Sequence, residues 1–336
     1  MKCTYRAAEL LKEKQELKVH SVYRHTVNIV VNERILAFHR DTIPSTPLSL
    51  ALPFSEKEFE CFEREAQRTG LVSIHIFYEA EGLSAEFPNR YCWISAGNFK
   101  QNAGKITLWE DKLDKQDKSK KLNLNQPDKN VAESILSVLL PALTRNYQLG
   151  GFSDCAVTIE KRKEDSFITQ ILREKTAAIL SENEKTNFEK MICSFIGLGP
   201  GLTPSGDDFL TGMLLAFSLQ KNIGANSEVG NKMDTCLEAD REIVRVEAKK
   251  RNKRQQQICK VVSENLDRTN DISKEYLICA MENRFGELYH KLQKQLYCGK
   301  IQQDIFCRII HTGHSSGLDT LNGLAVGLKM IRTMMG

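Results

Sequence analysis

The sequence lacks any pair of cysteines spaced as Cys-x-x-Cys, although ten cysteines are scattered along its 336 residues. It also lacks a run of about 18 apolar residues, the length that a membrane-spanning helix needs. The charged beginning, MKCTYRAAELLKEKQELK, has no apolar stretch of the kind found in secretory signals. These absences predict reduced thiols, mostly buried as small apolar side chains, in a cytoplasmic protein.

An excess of charge of one sign is lacking too. The 47 basic and 43 acidic residues leave a net charge of +4, which indicates no polyanionic partner. The basic run RVEAKKRNKRQQQICK (245–260) has no interleaved aromatic residues and no nucleic-acid motif, so it is typical of a solvated helix face. We therefore expect neither a nucleic acid nor a membrane as a partner.

The character of the sequence changes along its length, and 336 residues are enough for about two domains. Residues 1–110 are β-rich with one helix, 111–130 form a polar linker, and 131–336 are mainly helical. The expected fold class is α+β, with an N-terminal barrel- or sandwich-like domain followed by a mainly α-helical domain. Residues 222–236 are polar and glycine-bearing and are interpreted as a flexible insertion.

Periodicity and capping residues predict the elements. Ser55 and Glu58 have capping-box spacing and Gly70 suits a C-cap, which places a helix over 56–68. Ser273 is the expected N-cap of a later helix. The predicted strands lie within 19–31, 34–40, 71–80, 90–97 and 105–110. The remaining predicted helices cover 131–146, 166–181, 185–196, 207–221, 237–264, 274–296, 300–310 and 318–333.

A glycine- and proline-rich loop, GLGPGLTPSGDD, begins at Gly197 and leads into an apolar helix. Glycine permits positive φ and close backbone approach, whereas proline fixes φ, so the loop is expected to be tight and rigid. Thr203 or Ser205 would cap the helix, whose free N–H groups attract phosphate or carboxylate. The loop has neither the GK[ST] of a Walker A motif nor the last glycine of a dinucleotide fingerprint.

Two aspartates follow this loop. Asp207 and Asp208 fall in the first helical turn, where the helix dipole favours carboxylates, so completing the helix start is one role for them. Two carboxylates beside an anion would repel it, and four arrangements remove that conflict. One aspartate caps the helix, binds a cationic group, holds a divalent metal, or hydrogen-bonds an amide of the ligand.

A second copy of the motif lies near the C-terminus, in HTGHSSGLDTLNGLAVGL (311–328). SGLDTLNG aligns with SGDDFLTG without a gap, 111 residues apart, and five of the eight positions are identical. Small residues four apart would let the two helix backbones pack closely; they are Gly212 and Ala216 in one copy and Gly323 and Gly327 in the other. We expect the two helix starts to converge on one cleft, presenting Ser205, Asp208, Ser316 and Asp319 together.

The candidate catalytic residues are Asp208, Asp319 and His314, the last because the pKa of a free histidine lies near neutrality. His311 and His314 form an HxxH pair, but no acidic or cysteine ligand is fixed nearby in the sequence. Ligand contact is therefore favoured, no metal ligand is assigned, and Mg²⁺ is left as a possible cofactor. Arg284 would clamp an anion. The candidate anion-binding set is Gly199, Gly201, Thr203, Ser205, Gly206, Asp207, Ser315, Ser316, Gly317 and Arg284.

These motifs resemble the AllH (YlbF-type) family, formerly catalogued as a domain of unknown function. The likeness is carried by GLGPGLTPSGDDFLTG (197–212), GHSSGLDTLNG (313–323), VHSVYRHTVNIV (19–30) and TNDIS (269–273). The resemblance implies a subunit of oxamate carbamoyltransferase in allantoin (purine) degradation. It also implies FdrA-like and YlbE-like partner subunits, and a carbamate kinase that uses the carbamoyl phosphate. It assigns no catalytic residue.

Two alternatives stay open beside an enzyme subunit for carbamoyl transfer. One is a noncatalytic ligand-binding or scaffold subunit of the same complex. The other is a metal-dependent hydrolase or lyase that acts on a small carboxylate through Asp207, Asp208 and His314.

Overall fold

The fold is taken from a computed structural model of the chain. It describes residues 2–11, 15–79, 82–86, 103–109, 128–145, 151–158, 160, 162–181, 185–224, 236–297 and 302–334. Contacts within the chain divide it into two compact units. The first comprises Met1–Lys112 with Arg284–Leu288, and the second comprises Leu113–Asn283 with Tyr289–Gly336.

The first unit is built on a closed β-barrel. Its described strands are β1 (Lys2–Thr4), β2 (Gln15–Tyr23), β3 (Thr26–Val31), β4 (Arg34–Arg40), β5 (Ser49–Leu52), β6 (Leu71–Glu79), β7 (Gly82–Glu86) and β8 (Ala103–Trp109). Around the barrel the order is β1-β5-β4-β3-β2-β6-β7-β8. β1 pairs in parallel with β8, and β4 with β5; the other pairs are antiparallel. Closure leaves no open sheet edge.

Two helices belong to this unit, α1 (Tyr5–Leu10) and α2 (Glu56–Thr69). The start of α2 is a complete capping box, because Ser55 and Glu58 each accept the other's backbone N–H. Its end is Gly70 at φ 70°, as the sequence predicts.

An aromatic cluster packs α2 against the barrel strands. The Phe62 ring centroid lies 6.1 Å from that of Phe38, 6.0 Å from that of Phe54 and 5.6 Å from that of Phe59. All four side chains are buried. Burying each contributes about 1.5–3 kcal/mol of transfer free energy, which fixes the helix on the barrel.

The rest of the described chain is mainly helical. Its helices are α3 (Asp128–Arg145), α4 (Phe167–Ser181), α5 (Lys185–Phe195), α6 (Ser205–Gly224), α7 (Cys236–Ser263), α8 (Asp271–Met281), α9 (Glu287–Tyr297), α10 (Gln303–Ile310) and α11 (Ser316–Met334). Every residue of α11 from Gly317 to Leu328 is buried. A helix that is buried on all sides belongs in the centre of its unit, so α11 and its partner α6 form the core of the second unit.

The predicted α+β fold class is confirmed, with the barrel as the correct alternative for the β-rich part. The β-rich segment 19–31 is a hairpin of β2 and β3, with His25 in the left-handed region at φ 73°. One helix prediction is wrong. The helix expected over 274–296 is two helices, because Asn283, at φ 60°, adopts a conformation that ends a helix.

The cap of α8 also differs from the prediction. Asn270, not Ser273, is the N-cap, and its side-chain oxygen accepts the Ser273 N–H at 3.0 Å. Both residues are good caps, and the helix simply begins three residues earlier than the periodicity indicates.

Several predictions fall on residues outside those described. They are the strand at 90–97, all but the end of the linker 111–130, and most of the insertion 222–236. The predicted domain boundaries therefore stay a prediction.

The described ranges include seven free cysteines, of which Cys3, Cys155 and Cys279 are buried. Cys3, Cys61, Cys155, Cys193, Cys259, Cys279 and Cys307 are free thiols. In this part of the chain no helix has the length and apolar character needed to cross a membrane.

Candidate functional site

The two glycine motifs meet because their helices pack backbone to backbone. A Cβ atom at Gly212 would overlap the Thr320 carbonyl oxygen, and one at Gly323 would overlap the Phe209 carbonyl oxygen. A Cβ at Gly327 would lie 2.6 Å from that of Ala216. The small residues predicted from the sequence therefore line the contact between α6 and α11. Larger side chains there would hold the two helix starts apart.

The two helix starts are built alike. The Gly206 N–H donates to the Leu198 carbonyl at 2.8 Å, and the Gly317 N–H donates to that of Thr312 at 3.1 Å. A Cβ at Gly206 would overlap the carbonyl oxygen of Phe195, and one at Gly317 would overlap that of Ile309. Each glycine thus lets the new helix begin directly against the end of the preceding one, α5 or α10.

The loops before the two helices correspond as well. Gly199, at φ 114°, lies against Ser205, and Gly313, at φ 66°, lies against Ser316. The first loop is three residues longer between matching positions, since Leu198 and Ser205 match Thr312 and Ser316. The sequence repeat therefore corresponds to a structural repeat of helix, glycine loop and helix.

The buried aspartate carboxyl of each motif lies near a serine hydroxyl of the other motif. Ser316 and Thr203 lie within hydrogen-bonding reach of the Asp208 carboxyl. Ser205 and Ser315 lie within reach of the Asp319 carboxyl. Thr203 Oγ1 is 3.4 Å from Ser316 Oγ, so the two sets of hydroxyls are themselves in contact. The expected convergence of the two helix starts is thus present in the structure.

Burial dominates the electrostatics of this pair. It raises the pKa of Asp319 to about 6, while the Phe152 N–H, the serine hydroxyls and His314 act in the opposite direction. Burial and the charge of Asp319 together raise the pKa of Asp208 well above its ordinary value. Two close buried carboxyls cannot both ionise cheaply, so one holds a proton more tightly than the other.

The raised pKa of Asp319 predicts a pH dependence of stability. Between its ordinary value of 3.8 and about 6, the folded chain binds more protons than the unfolded chain, so stability falls as pH rises. The loss approaches about 3 kcal/mol, because each tenfold difference in proton affinity corresponds to about 1.4 kcal/mol. Asp319→Asn keeps the acceptor for Phe152 and removes the charge, so it should unfold at higher urea than the wild type at pH 7.

The control for this measurement is Asp267→Asn, since Asp267 is an exposed carboxyl. This variant should show the same difference in stability to urea between pH 4.5 and pH 7 as the wild type. If Asp319→Asn shows the wild-type pH dependence, the carboxyl does not titrate with a raised pKa.

A segment that the sequence analysis missed covers Asp319. The Phe152 N–H donates to Asp319 Oδ1 at 2.6 Å, and a Cβ at Gly151 would collide with the same carboxyl. The Ala156 N–H donates to Asn322 Oδ1 at 2.9 Å, and Asn322 Nδ2 donates to the Ser153 carbonyl at 2.8 Å. These bonds attach residues 151–156 to the first turns of α11.

Buried ion pairs hold that segment in turn. The fully buried Arg173 guanidinium lies 2.7 Å from Asp165 Oδ2 and 2.8 Å from Asp154 Oδ1. It also donates to the Thr158 carbonyl at 2.7 Å. Arg162 pairs with Asp154 from a more exposed position. Two charges of each sign, on Asp154, Arg162, Asp165 and Arg173, form this cluster, and no short motif marks it.

Asp207 has a role apart from the carboxyl pair. Its Oδ1 accepts the Gly197 N–H at 2.8 Å, and its Oδ2 accepts the Ser273 hydroxyl at 2.6 Å and the Thr269 hydroxyl. It therefore anchors the glycine loop to α8 and the turn before it. These contacts are structural and are not a cap of α6; ligand binding by Asp207 stays a prediction.

The remaining predicted residues differ in exposure. Thr203, Ser315 and Ser316 are part-exposed, Gly201 and His314 are exposed, and Ser205 and Asp208 are buried. His314 is near enough to Asp319 to lower its pKa. The His311 ring, by contrast, is hydrogen-bonded to the Cys307 carbonyl at the end of α10.

Arg284 belongs by its contacts to the barrel unit, which does not contain the two motifs. Its proposed anion contact stays a prediction. Tyr289, on α9, was missed by the sequence analysis: its phenol is within hydrogen-bonding reach of Thr320 and close enough to Asp208 to feel its charge. Burial raises the pKa of Tyr289, so this phenol remains a neutral hydrogen-bonding group.

The described residues contain no group of three or more histidine, cysteine, aspartate or glutamate side chains arranged to hold a metal ion. The Asp208–Asp319 pair alone supplies two carboxyls, while Mg²⁺ prefers six oxygen ligands.

Comparison with known proteins now bears on this site. No solved structure matches the chain. Residues 195–241 and 232–328 match the family described as "Oxamate carbamoyltransferase subunit AllH". The matched region runs from the end of α5 into α11 and so contains both glycine loops and both carboxyls. This match, over less than half of the chain, supports the resemblance to the AllH family seen in the motifs.

Proposed function

We propose that this chain supplies the small-anion site of an oxamate carbamoyltransferase and works in a complex with further subunits. The observation that carries the proposal is the meeting of two glycine-loop helix starts at one buried carboxyl pair, Asp208 and Asp319. A helix start presents the positive end of its dipole to an anion. The family description names oxamate, a small carboxylate of suitable charge.

The proposed reaction transfers a carbamoyl group from carbamoyl-oxamate to phosphate. A phosphate oxygen forms a bond to the carbamoyl carbon, the bond from that carbon to the oxamate nitrogen breaks, and the nitrogen takes up a proton. Asp208, which holds its proton tightly because it is buried beside Asp319, is suited to supply that proton. The positive dipole ends of α6 and α11 stabilise the negative charge that develops on the carbamoyl oxygen.

Thr203, Ser315 and Ser316 are the proposed ligand-contacting hydroxyls, since they are part-exposed next to the buried carboxyls. His314 and the loop glycines Gly199 and Gly201 complete this surface. Asp207 is left out, because its two oxygens already accept three hydrogen bonds. We propose FdrA-like and YlbE-like partner subunits, a cytoplasmic location, and a carbamate kinase that uses the product in allantoin degradation.

The test is reconstitution of the complex from the chain and its partner subunits, assayed for phosphate-dependent breakdown of carbamoyl-oxamate. Asp208→Asn removes the proton donor and should lower kcat by about 10²-fold or more, the range expected for loss of a general acid. Asp304→Asn, an exposed aspartate on α10, is the matched control and should retain wild-type kcat.

Copurification separates the catalytic role from a scaffold role. If the Asp208→Asn complex assembles normally but is inactive, the site takes part in the chemistry. If it assembles and keeps wild-type activity, the chain is a scaffold. A wild-type complex that forms no carbamoyl phosphate would remove the proposal, and loss of activity with EDTA would favour the metal-dependent alternative.

A further inference from the structure

The carboxyl pair has one feature that the hydroxyl contacts leave unexplained. Oδ2 of Asp208 and Oδ2 of Asp319 are both buried and accept no hydrogen bond from any part of the chain that the structure describes. The two residues are 8% and 0% exposed, respectively. A buried polar atom without a partner costs about 1–3 kcal/mol. Two such atoms at one pair of helix starts indicate a ligand that brings hydrogen-bond donors.

The nature of the donor follows from the surroundings. Both carboxyls lie in the first turn of a helix, where the positive dipole end disfavours a nearby cation. Hydroxyls also face both carboxyls and partly satisfy them. A divalent metal would need several more oxygen ligands than this pair supplies. Neutral N–H donors fit the site without these penalties.

We propose, resting on the function proposed above, that Asp208 Oδ2 and Asp319 Oδ2 bind the amide end of the ligand and so select a primary amide over a carboxylate. A protonated carboxyl pairs with an amide through two hydrogen bonds, donating to the carbonyl and accepting an N–H. An ionised carboxylate accepts a further N–H. A ligand carboxylate in the same place offers no donor and repels the ionised partner.

A second buried feature lies next to this pair. Ser153 is fully buried, has φ 49°, and its hydroxyl oxygen has no hydrogen-bond partner among the described residues. It follows Phe152, whose N–H binds Asp319. Non-glycine residues held in the left-handed region cluster at ligand sites. The segment that covers Asp319 is therefore held in a conformation consistent with a ligand site.

Access to the pair is through the part-exposed hydroxyls. Thr203, Ser315 and Ser316 lie beside the carboxyls and retain partial exposure. Rotation of a serine or threonine side chain about its single χ1 bond moves the hydroxyl to another staggered position. The N–H groups of the ligand then reach the two unpaired Oδ2 atoms.

The test compares oxamate with oxalate, which have the same shape and differ by NH₂ against O⁻. Binding of each is measured by titration calorimetry at pH 7.5, on the full chain and on its complex with the partner subunits. The wild type should bind oxamate at least about 10-fold tighter than oxalate, because a site built for a donor rejects the analogue without it. Asp319→Asn replaces the charge with an amide that can donate, so this ratio should fall at least about 10-fold.

Asp267→Asn should keep the wild-type ratio. The proposal is overturned if oxamate binds to neither preparation, if the two ligands bind equally, or if Asp319→Asn leaves the ratio unchanged. It is also overturned if both ligands bind only with Mg²⁺ and not with EDTA. Selective oxamate binding without carbamoyl transfer would remove the proposed function alone, and transfer with an unchanged ratio in Asp319→Asn would remove this inference alone.

Discussion

Gly323→Ala is expected to destabilise the helical unit by about 3 kcal/mol or more, at the upper end of the cost of overpacking a core. The added methyl group would overlap the carbonyl oxygen of Phe209 on α6. A backbone atom cannot rotate away, so the two helices must separate along their contact. In an uncrowded helix the same change would stabilise by about 1 kcal/mol, and the expected sign is therefore opposite to that of helix propensity.

Urea unfolding followed by far-ultraviolet circular dichroism is the suitable measurement. Helices dominate that signal, whereas both tryptophans, Trp93 and Trp109, lie in the N-terminal part of the chain. Thr333→Ala, an exposed change on the same helix, should alter stability by no more than about 0.5 kcal/mol. A stabilised Gly323→Ala chain would show that the two helices do not pack backbone to backbone.

Arg173→Met is expected to cost about 3–5 kcal/mol, the range for removing one partner of a buried ion pair. Methionine fills much of the space but leaves the carboxylates of Asp154 and Asp165 buried without their main positive partner. The Thr158 carbonyl also loses its donor. The unfolding midpoint in urea should therefore drop sharply.

The control for this variant is Arg162→Met. Arg162 pairs with the same Asp154, but its side chain is 37% exposed. Ion pairs of this kind contribute about 1 kcal/mol or less. Equal losses in the free energy of unfolding of the two variants would contradict the view that the ion pairs of Arg173 contribute more because they are buried. The loss of stability in Arg173→Lys should lie between those of Arg173→Met and Arg162→Met. A lysine keeps the charge, but it cannot bond both carboxylates as the planar guanidinium does.

Many of the helices were predictable because their cues are local. The repeat, the small residues at Gly212 and Gly323, and the capping box at Ser55 each follow from a few adjacent positions. The helix over 237–264 agrees with α7 to within one residue at each end. Local steric and capping rules are sufficient in these places, since the neighbouring turn provides the partner.

The parts that escaped prediction depend on partners distant in sequence. The barrel closes through a parallel pairing of β1 with β8, which are about 100 residues apart. The alternation of apolar and polar residues does not predict this pairing. Arg173 lies on a helix whose sequence gives no reason to expect a buried cation. Tyr289 approaches Asp208 and Thr320 only because the fold brings these distant positions together. Such contacts are properties of the assembled fold.

The crossed arrangement of hydroxyls and acids has a consequence for the chain as a unit. Each motif carries a buried carboxyl with one hydroxyl partner in its own copy and one in the other, so neither copy is complete in itself. A fragment ending after α6 would hold Asp208 without Ser316, and one beginning at α10 would hold Asp319 without Ser205. The two copies of the repeat therefore form a single site, which exists only when the two distant stretches of chain come together.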